Sequence, residues 1–212
     1  RSFIAAMMSF DEAGFHKLLH TYVLQFGMEE TFLRIVFPFL QEVGMLWQVG
    51  GITPSHEHFA SHIIKQKLYV AIDGQVGRTQ QKGKKFLLFL PETEKHSLGM
   101  LFANYAVRSR GHEVLYLGQE VPLADLMDAF GKEYPDFVVT LMTAAQPEID
   151  KQQFVEFLSK NWPASAILLT GSQFNHLDME MPANVYQVKS MDMFLSFLDA
   201  LPVQENPLSL IA

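Results

Sequence analysis

The chain reads as an α/β protein in two parts: a bundle of about four helices, then a doubly wound parallel sheet of five strands. Three observations predict this. Through residue 76 the apolar residues recur at helical spacing, and no stretch alternates as a half-buried strand would. From residue 85 onward, five short apolar runs alternate with four helical stretches, the mark of strand–helix–strand units. Between them lies "GRTQQKGK", residues 77–84, polar and glycine-bearing, which reads as a linker.

The elements follow in order. Residues 10–26 form a helix after a cap near Ser9 or Asp11. From Glu29 to Trp47 a stripe of Phe32, Ile35, Val36, Phe39, Val43 and Leu46 marks another, widened by Leu33, Phe37 and Leu40, so other helices should enclose it. Pro38 lies inside this run and should kink it, and "VGG" at 49–51 ends it. Thr53-Pro54 reads as an N-cap with proline in the first turn, opening a helix to about Ile72 with the stripe Ala60, Ile64, Leu68, Ala71. Residues 1–76 are therefore the bundle. The strand candidates are 85–90, 112–117, 136–142, 165–170 and 184–188, with helices near 96–110, 122–133, 148–161 and 190–201. Right-handed crossovers between such units give a flavodoxin-like (Rossmann-like) sheet over residues 85–212.

Composition narrows the function classes. Among 212 residues, 49% are apolar and 18% charged, which is a folded chain. The net charge is −7, and the densest basic run, "KGKK" at 82–85, is too short for a nucleic-acid footprint, so any DNA binding belongs to a separate domain outside this chain. With no cysteine there is no disulfide, thiolate metal site or cysteine nucleophile, which fits a cytoplasmic protein. No apolar run approaches the ~18–20 residues of a membrane helix. The first residue is Arg, which suggests a piece of something longer.

The chemistry concentrates in "ETEKHSLGM", residues 92–100, at the turn between the first strand and its helix. Open α/β sheets bind ligands at this edge, and glycines that cradle phosphate normally dominate there. Here the turn carries His96, whose neutral imidazole is a metal ligand near pH 7. Glu94, two residues earlier, is placed to accept the other ring N–H, and Gly99 allows close approach. Read alone, the stretch favours the plainer reading, His96 as a solvated turn residue with Glu94 complementing a helix N-terminus. Forty residues separate Gly99 from Thr140-Leu141-Met142, at the end of the third strand; another 28 separate that from Gly171-Ser172, at the end of the fourth. Each of these, read alone, is an ordinary strand end or turn.

Together, Glu94-x-His96-x-x-Gly99, Thr140-Leu141-Met142 and Gly171-Ser172 resemble the cobalamin-binding module, whose pattern is Asp/Glu-x-His-x-x-Gly, then Ser-x-Leu, then Gly-Gly. The resemblance implies that His96 is the lower axial ligand to cobalt, displacing the cofactor's own dimethylbenzimidazole. It further implies that Glu94 holds the ring, and that the loops at Thr140 and Gly171 line a slot for the nucleotide tail. This chain departs from the pattern at Thr140, Met142 and Ser172, and the threonine methyl and Ser172 narrow the slot. A second stretch, Trp47-x9-Glu57-His58, resembles the upper-face motif of cobalamin-dependent MerR-type transcriptional regulators, the CarH/LitR photoreceptor family. By that resemblance the bundle covers the upper face of adenosylcobalamin, with Trp47 packed over the adenosyl group and Glu57 and His58 in contact with it; an indole suits such a face.

The resemblance extends from the bundle to the last helix. It implies a non-enzymatic, cobalamin-binding sensory and oligomerisation region of a transcriptional regulator, homo-oligomeric, whose DNA-binding domain is absent from this chain. Photoreceptor members carry a histidine directly after the Trp; here Gln48, a poor cobalt ligand beside imidazole, stands there, which leaves light sensing absent, altered or served by another histidine, with His56, His58 and His62 near in sequence. Two other readings compete: a corrinoid methyl-carrier protein of a methyltransferase system, and a cofactorless interaction domain that kept the fold. His58 and His62, like His16 and His20, have i, i+4 spacing, as in helical zinc sites, but without the His-Glu-x-x-His order or a further ligand. No nucleophile elbow, P-loop or dinucleotide fingerprint appears.

Overall fold

The computed structural model describes residues 2–76, 83–126, 134–145, 149–175 and 180–201. The greater part of the expected 77–84 linker, and the expected helix 122–133 beyond residue 126, lie outside them. The chain divides into two compact units, Arg1–Val70 and Ala71–Ala212.

The first unit is helical: α1 (Ser2–Met8), α2 (Glu12–Thr31), a π turn (Phe32–Val36), α3 (Phe37–Gln48) and α4 (Pro54–Asp73), whose last residues enter the second unit. Asp11 caps α2 by accepting the Gly14 N–H at 2.9 Å. Gly27 interrupts α2 at φ +79°, which separates the predicted helix 10–26 from the one that starts at Glu29. The expected kink at Pro38 takes the form of a π turn. A proline ring clashes with the carbonyl four residues back, here that of Arg34, and the wider turn (Phe37 N–H to Phe32 O) relieves that crowding. The rings of Phe3, Phe15 and Phe39 meet with centroids 4.9–5.7 Å apart at the centre of this core. Each such buried side chain contributes about 1.5–3 kcal/mol.

The second unit is a five-stranded parallel sheet in the order β2-β1-β3-β4-β5. Its strands are β1 (Lys85–Pro91), β2 (Glu113–Val121), β3 (Phe137–Leu141), β4 (Ala166–Thr170) and β5 (Val185–Val188). The connecting helices are α5 (Leu98–Ser109), α6 (Leu123–Leu126), α7 (Lys151–Asn161) and α8 (Met191–Ala200). On one face Leu87, Phe89, Val138, Ile167 and Leu169 pack against Phe154, Leu158 and the buried Trp162. On the other, Val139 and Leu141 face α5 and α8. β1 has β2 on one side and β3 on the other, so the chain reverses its strand order there. The connections leaving β1 and β3 therefore run toward opposite edges of the sheet, and the reversal point lies at the carboxyl edge, where such sheets take ligands. Among the described residues no helix is long and apolar enough to cross a membrane.

Candidate functional site

The geometry at that edge is built around one buried carboxylate. Glu94 lies in the turn after β1, where its N–H donates to Pro91 O at 2.9 Å, and it is fully buried. A buried carboxylate is tolerated only when its oxygens are filled with donors. Oε1 accepts the His96 ring Nδ1–H at 2.6 Å and the His96 backbone N–H at 2.8 Å. Oε2 accepts the Thr143 backbone N–H at 2.6 Å, its hydroxyl at 3.2 Å and the Ala144 N–H at 3.1 Å. Burial alone would raise this carboxyl, but the His96 ring and the backbone N–H groups of Thr143, His96 and Ala144 outweigh it, lowering it from 4.5 to about 2. Glu94 thus carries a fixed negative charge and ties the β1 loop to the β3 loop.

That charge sets the state of His96. An ionised carboxylate only accepts, so Nδ1 carries the ring proton and a neutral ring keeps its lone pair on Nε2. The side chain is 67% exposed while its Glu94 partner is at 0%. An exposed imidazole oriented by a buried carboxylate can serve as a metal ligand.

The remaining predicted residues fall around it. Gly99, in the first turn of α5, passes so close to β3 that a Cβ would sit 3.2 Å from Leu141 Cδ1. Gly171 has φ +103°, and a Cβ there would lie 2.2 Å from Met142 O, so only glycine fits. Ser172 opens a 3-10 turn (Ser172–Phe174) and donates its hydroxyl to Thr143 O at 3.1 Å. Thr140 is buried with its hydroxyl lacking any hydrogen-bond partner in the described structure. Met142, the last residue of the strand-end motif, has its side chain turned inward. It is fully buried in the core cluster with Trp162 and Leu158, whereas Val139 and Leu141 lie on the opposite face of β3. The narrow apolar pocket on that face is lined by Gly99, Leu141, Thr170, Val188, Ser190 and Met191, among others. Sequence reasoning did not reach Thr143 and Ala144, whose main contribution is backbone N–H; only the small side chains after β3 hinted at a close approach.

In the helical unit Trp47 lies in the last turn of α3, 48% exposed, and Glu57 and His58 lie in the first turns of α4. His58 Nδ1 is 2.8 Å from Glu57 Oε2, a second carboxylate–imidazole pair. The zinc readings find no third ligand: among the described residues no three His, Cys, Asp or Glu side chains converge. The His58 and His62 rings are 6.4 Å apart, and His20 instead faces Lys67 Nζ at 3.3 Å.

The donor set fits a corrinoid. One oriented imidazole suits a metal that arrives already held in a macrocycle. Gly99 and Gly171 let their segments pack closely against β3 and the residue after it, and the Thr140 hydroxyl is left without a partner in the described structure.

Comparison with known proteins agrees. Residues 1–72 match the family model described as the B12 binding domain. Over 162 residues the chain is 28% identical to the HTH-type transcriptional repressor CarH of Myxococcus xanthus, covering 76% of this chain and 53% of that protein. It is 30% identical over 114 residues to the HTH-type transcriptional repressor CarA of the same organism, covering 53% and 37%. The chain therefore spans about half the length, or less, of these relatives. The monomethylamine corrinoid protein of Methanosarcina barkeri shares the fold, with a TM-score of 0.70 at 11% identity over 94% of this chain and 96% of that one.

Proposed function

We propose that this chain, a CarH-like region whose first 72 residues match the B12 binding domain, is the cobalamin-binding sensory region of a transcriptional repressor. The observation that carries the reading is the Glu94–His96 pair at 2.6 Å, a fully buried carboxylate fixing an imidazole at the reversal point of the sheet.

The roles follow from the residues. His96 supplies the lower axial nitrogen, and Glu94 fixes its tautomer and orientation. Gly99, Thr140, Met142 (through its backbone), Gly171 and Ser172 shape the strand edge that takes the nucleotide tail. Trp47, Glu57 and His58 are the contacts of the helical unit with the upper ligand, which is adenosyl in this reading. The bound cofactor supplies an upper ligand that can be present or lost, and contacts made in only one of those states shift an equilibrium. The chain reads that difference without catalysing a reaction. It does so as a homo-oligomer in the cytoplasm and acts on DNA through a domain outside this chain. Gln48 beside Trp47 removes the imidazole through which a light-triggered ligand exchange would run. The likeness to a corrinoid protein carries the fold alone, so the methyl-carrier reading gains nothing specific from it.

The test is direct. The purified chain is incubated with adenosylcobalamin in the dark and gel-filtered, and the spectrum of the protein peak is recorded. A coloured protein peak is expected, with His96→Ala weakening retention or returning the spectrum to that of a corrinoid without a histidine ligand. A colourless peak sinks the reading, and an unchanged spectrum in His96→Ala sinks the ligand assignment.

A further inference from the structure

We infer that His56 is a positioning residue for the Glu57–His58 pair and that Phe10 holds it in place; the inference rests on the reading of Glu57 and His58 as cofactor contacts. The run "HEHFASH" places three histidines at the start of α4, and they do different work. His56 Nδ1 accepts the Thr53 backbone N–H at 3.1 Å and lies 2.9 Å from Thr53 Oγ1. Thr53 precedes the helix, and its carbonyl accepts the His56 N–H at 3.1 Å, so Thr53 is the N-cap and His56 the third helical residue. Glutamate or glutamine ordinarily reaches back from that position in a capping box; here an imidazole does. A nitrogen that accepts carries no proton, so the neutral His56 ring bears its proton on Nε2. His58 is the opposite case, with Nδ1 directed at a carboxylate.

The His56 ring is held from its other side as well. It stacks on Phe10 with centroids 4.7 Å apart and planes 15° from parallel. Phe10 sits at φ +51° in the turn between α1 and α2, a conformation that a bulky residue keeps only when its surroundings impose it. Phe59, one turn along α4, packs edge-on against the Phe10 ring at 5.5 Å. The first turn of α4 is thus fixed through its backbone by His56 Nδ1 and through its side chains by Phe10. Glu57 and His58 follow at once on that turn, so the direction of their pair is the direction this node sets.

Dissociation constants of the full chain for adenosylcobalamin and for hydroxocobalamin, measured in the dark, test this. A lost helix cap weakens what depends on it by about fivefold to tenfold. His56→Ala is expected to weaken adenosylcobalamin by that factor and hydroxocobalamin, which has no adenosyl group, by less than about twofold. His56→Gln keeps an acceptor at this position and is expected to restore adenosylcobalamin binding. Phe10→Ala should show the same selective loss, and it carries the comparison if His56→Ala does not fold. Equal losses for both forms, or His56→Gln behaving as His56→Ala, overturn the inference while leaving the cobalamin reading intact. An unsubstituted chain that binds neither form overturns both.

Discussion

Replacing Glu94 by Gln isolates the group on which the site depends. The amide keeps the shape but loses the charge, and it cannot turn two acceptor oxygens toward His96 Nδ1, Thr143 N and Ala144 N together. The magnitude follows from the depressed carboxyl. A group at about 2 in the folded chain against 4.5 otherwise contributes on the order of 3 kcal/mol at neutral pH. Because the folded value is the lower one, this stabilisation is fully present above about 4.5 and is lost as pH falls toward about 2. Urea unfolding of both proteins between pH 7 and pH 2.5 measures it. At pH 7 Glu94→Gln should be less stable by about 3 kcal/mol, and the gap should close on acidification. A gap that stays constant with pH, or one below about 1 kcal/mol at neutrality, would refute the view of Glu94 as an ionised, fully satisfied buried carboxylate.

Two further predictions concern the same edge. Gly171→Ala forces a Cβ to within 2.2 Å of Met142 O at φ +103° and should cost on the order of 2–4 kcal/mol in urea unfolding; a change under about 0.5 kcal/mol would show that the loop is not so tightly set. Thr140→Val replaces a buried hydroxyl that has no partner in the described structure with a methyl group. The protein without cofactor should be equally or more stable by up to about 1 kcal/mol, and a clear loss in urea unfolding would mean the hydroxyl has an internal partner.

Much of the architecture was legible in the sequence because its strands are short apolar runs bounded by polar residues, proline or glycine. "KFLLFLP" and "AILLT" could hardly be anything else, and both strands lie within one residue of their expected limits. The break at Gly27 was visible as a gap between two helical stripes. The π turn before Pro38 was not, because a proline within a helical pattern announces a disturbance without saying whether the helix bends or widens. In the site, Glu94 and His96 were legible because their relation is local, two residues apart in one turn. Thr143 and Ala144 were not, since the groups that fill Glu94 Oε2 are mainly backbone N–H, which every residue but proline offers. The burial of Met142 in the core was hidden for a related reason. "FVVTLM" is nearly apolar on both faces, as a central parallel strand must be, so alternation does not reveal which face of the sheet each residue takes.

Cobalt ligation by His96 is tested most directly by electron paramagnetic resonance of the chain loaded with cob(II)alamin, with the protein's histidines labelled with nitrogen-15. Ligation by His96 predicts that each cobalt hyperfine line splits into a doublet, from one protein-derived nitrogen-15, and that His96→Ala abolishes the doublet. A triplet from nitrogen-14 that persists in the labelled protein would mean that the cofactor keeps its own base on cobalt, and would contradict the assignment.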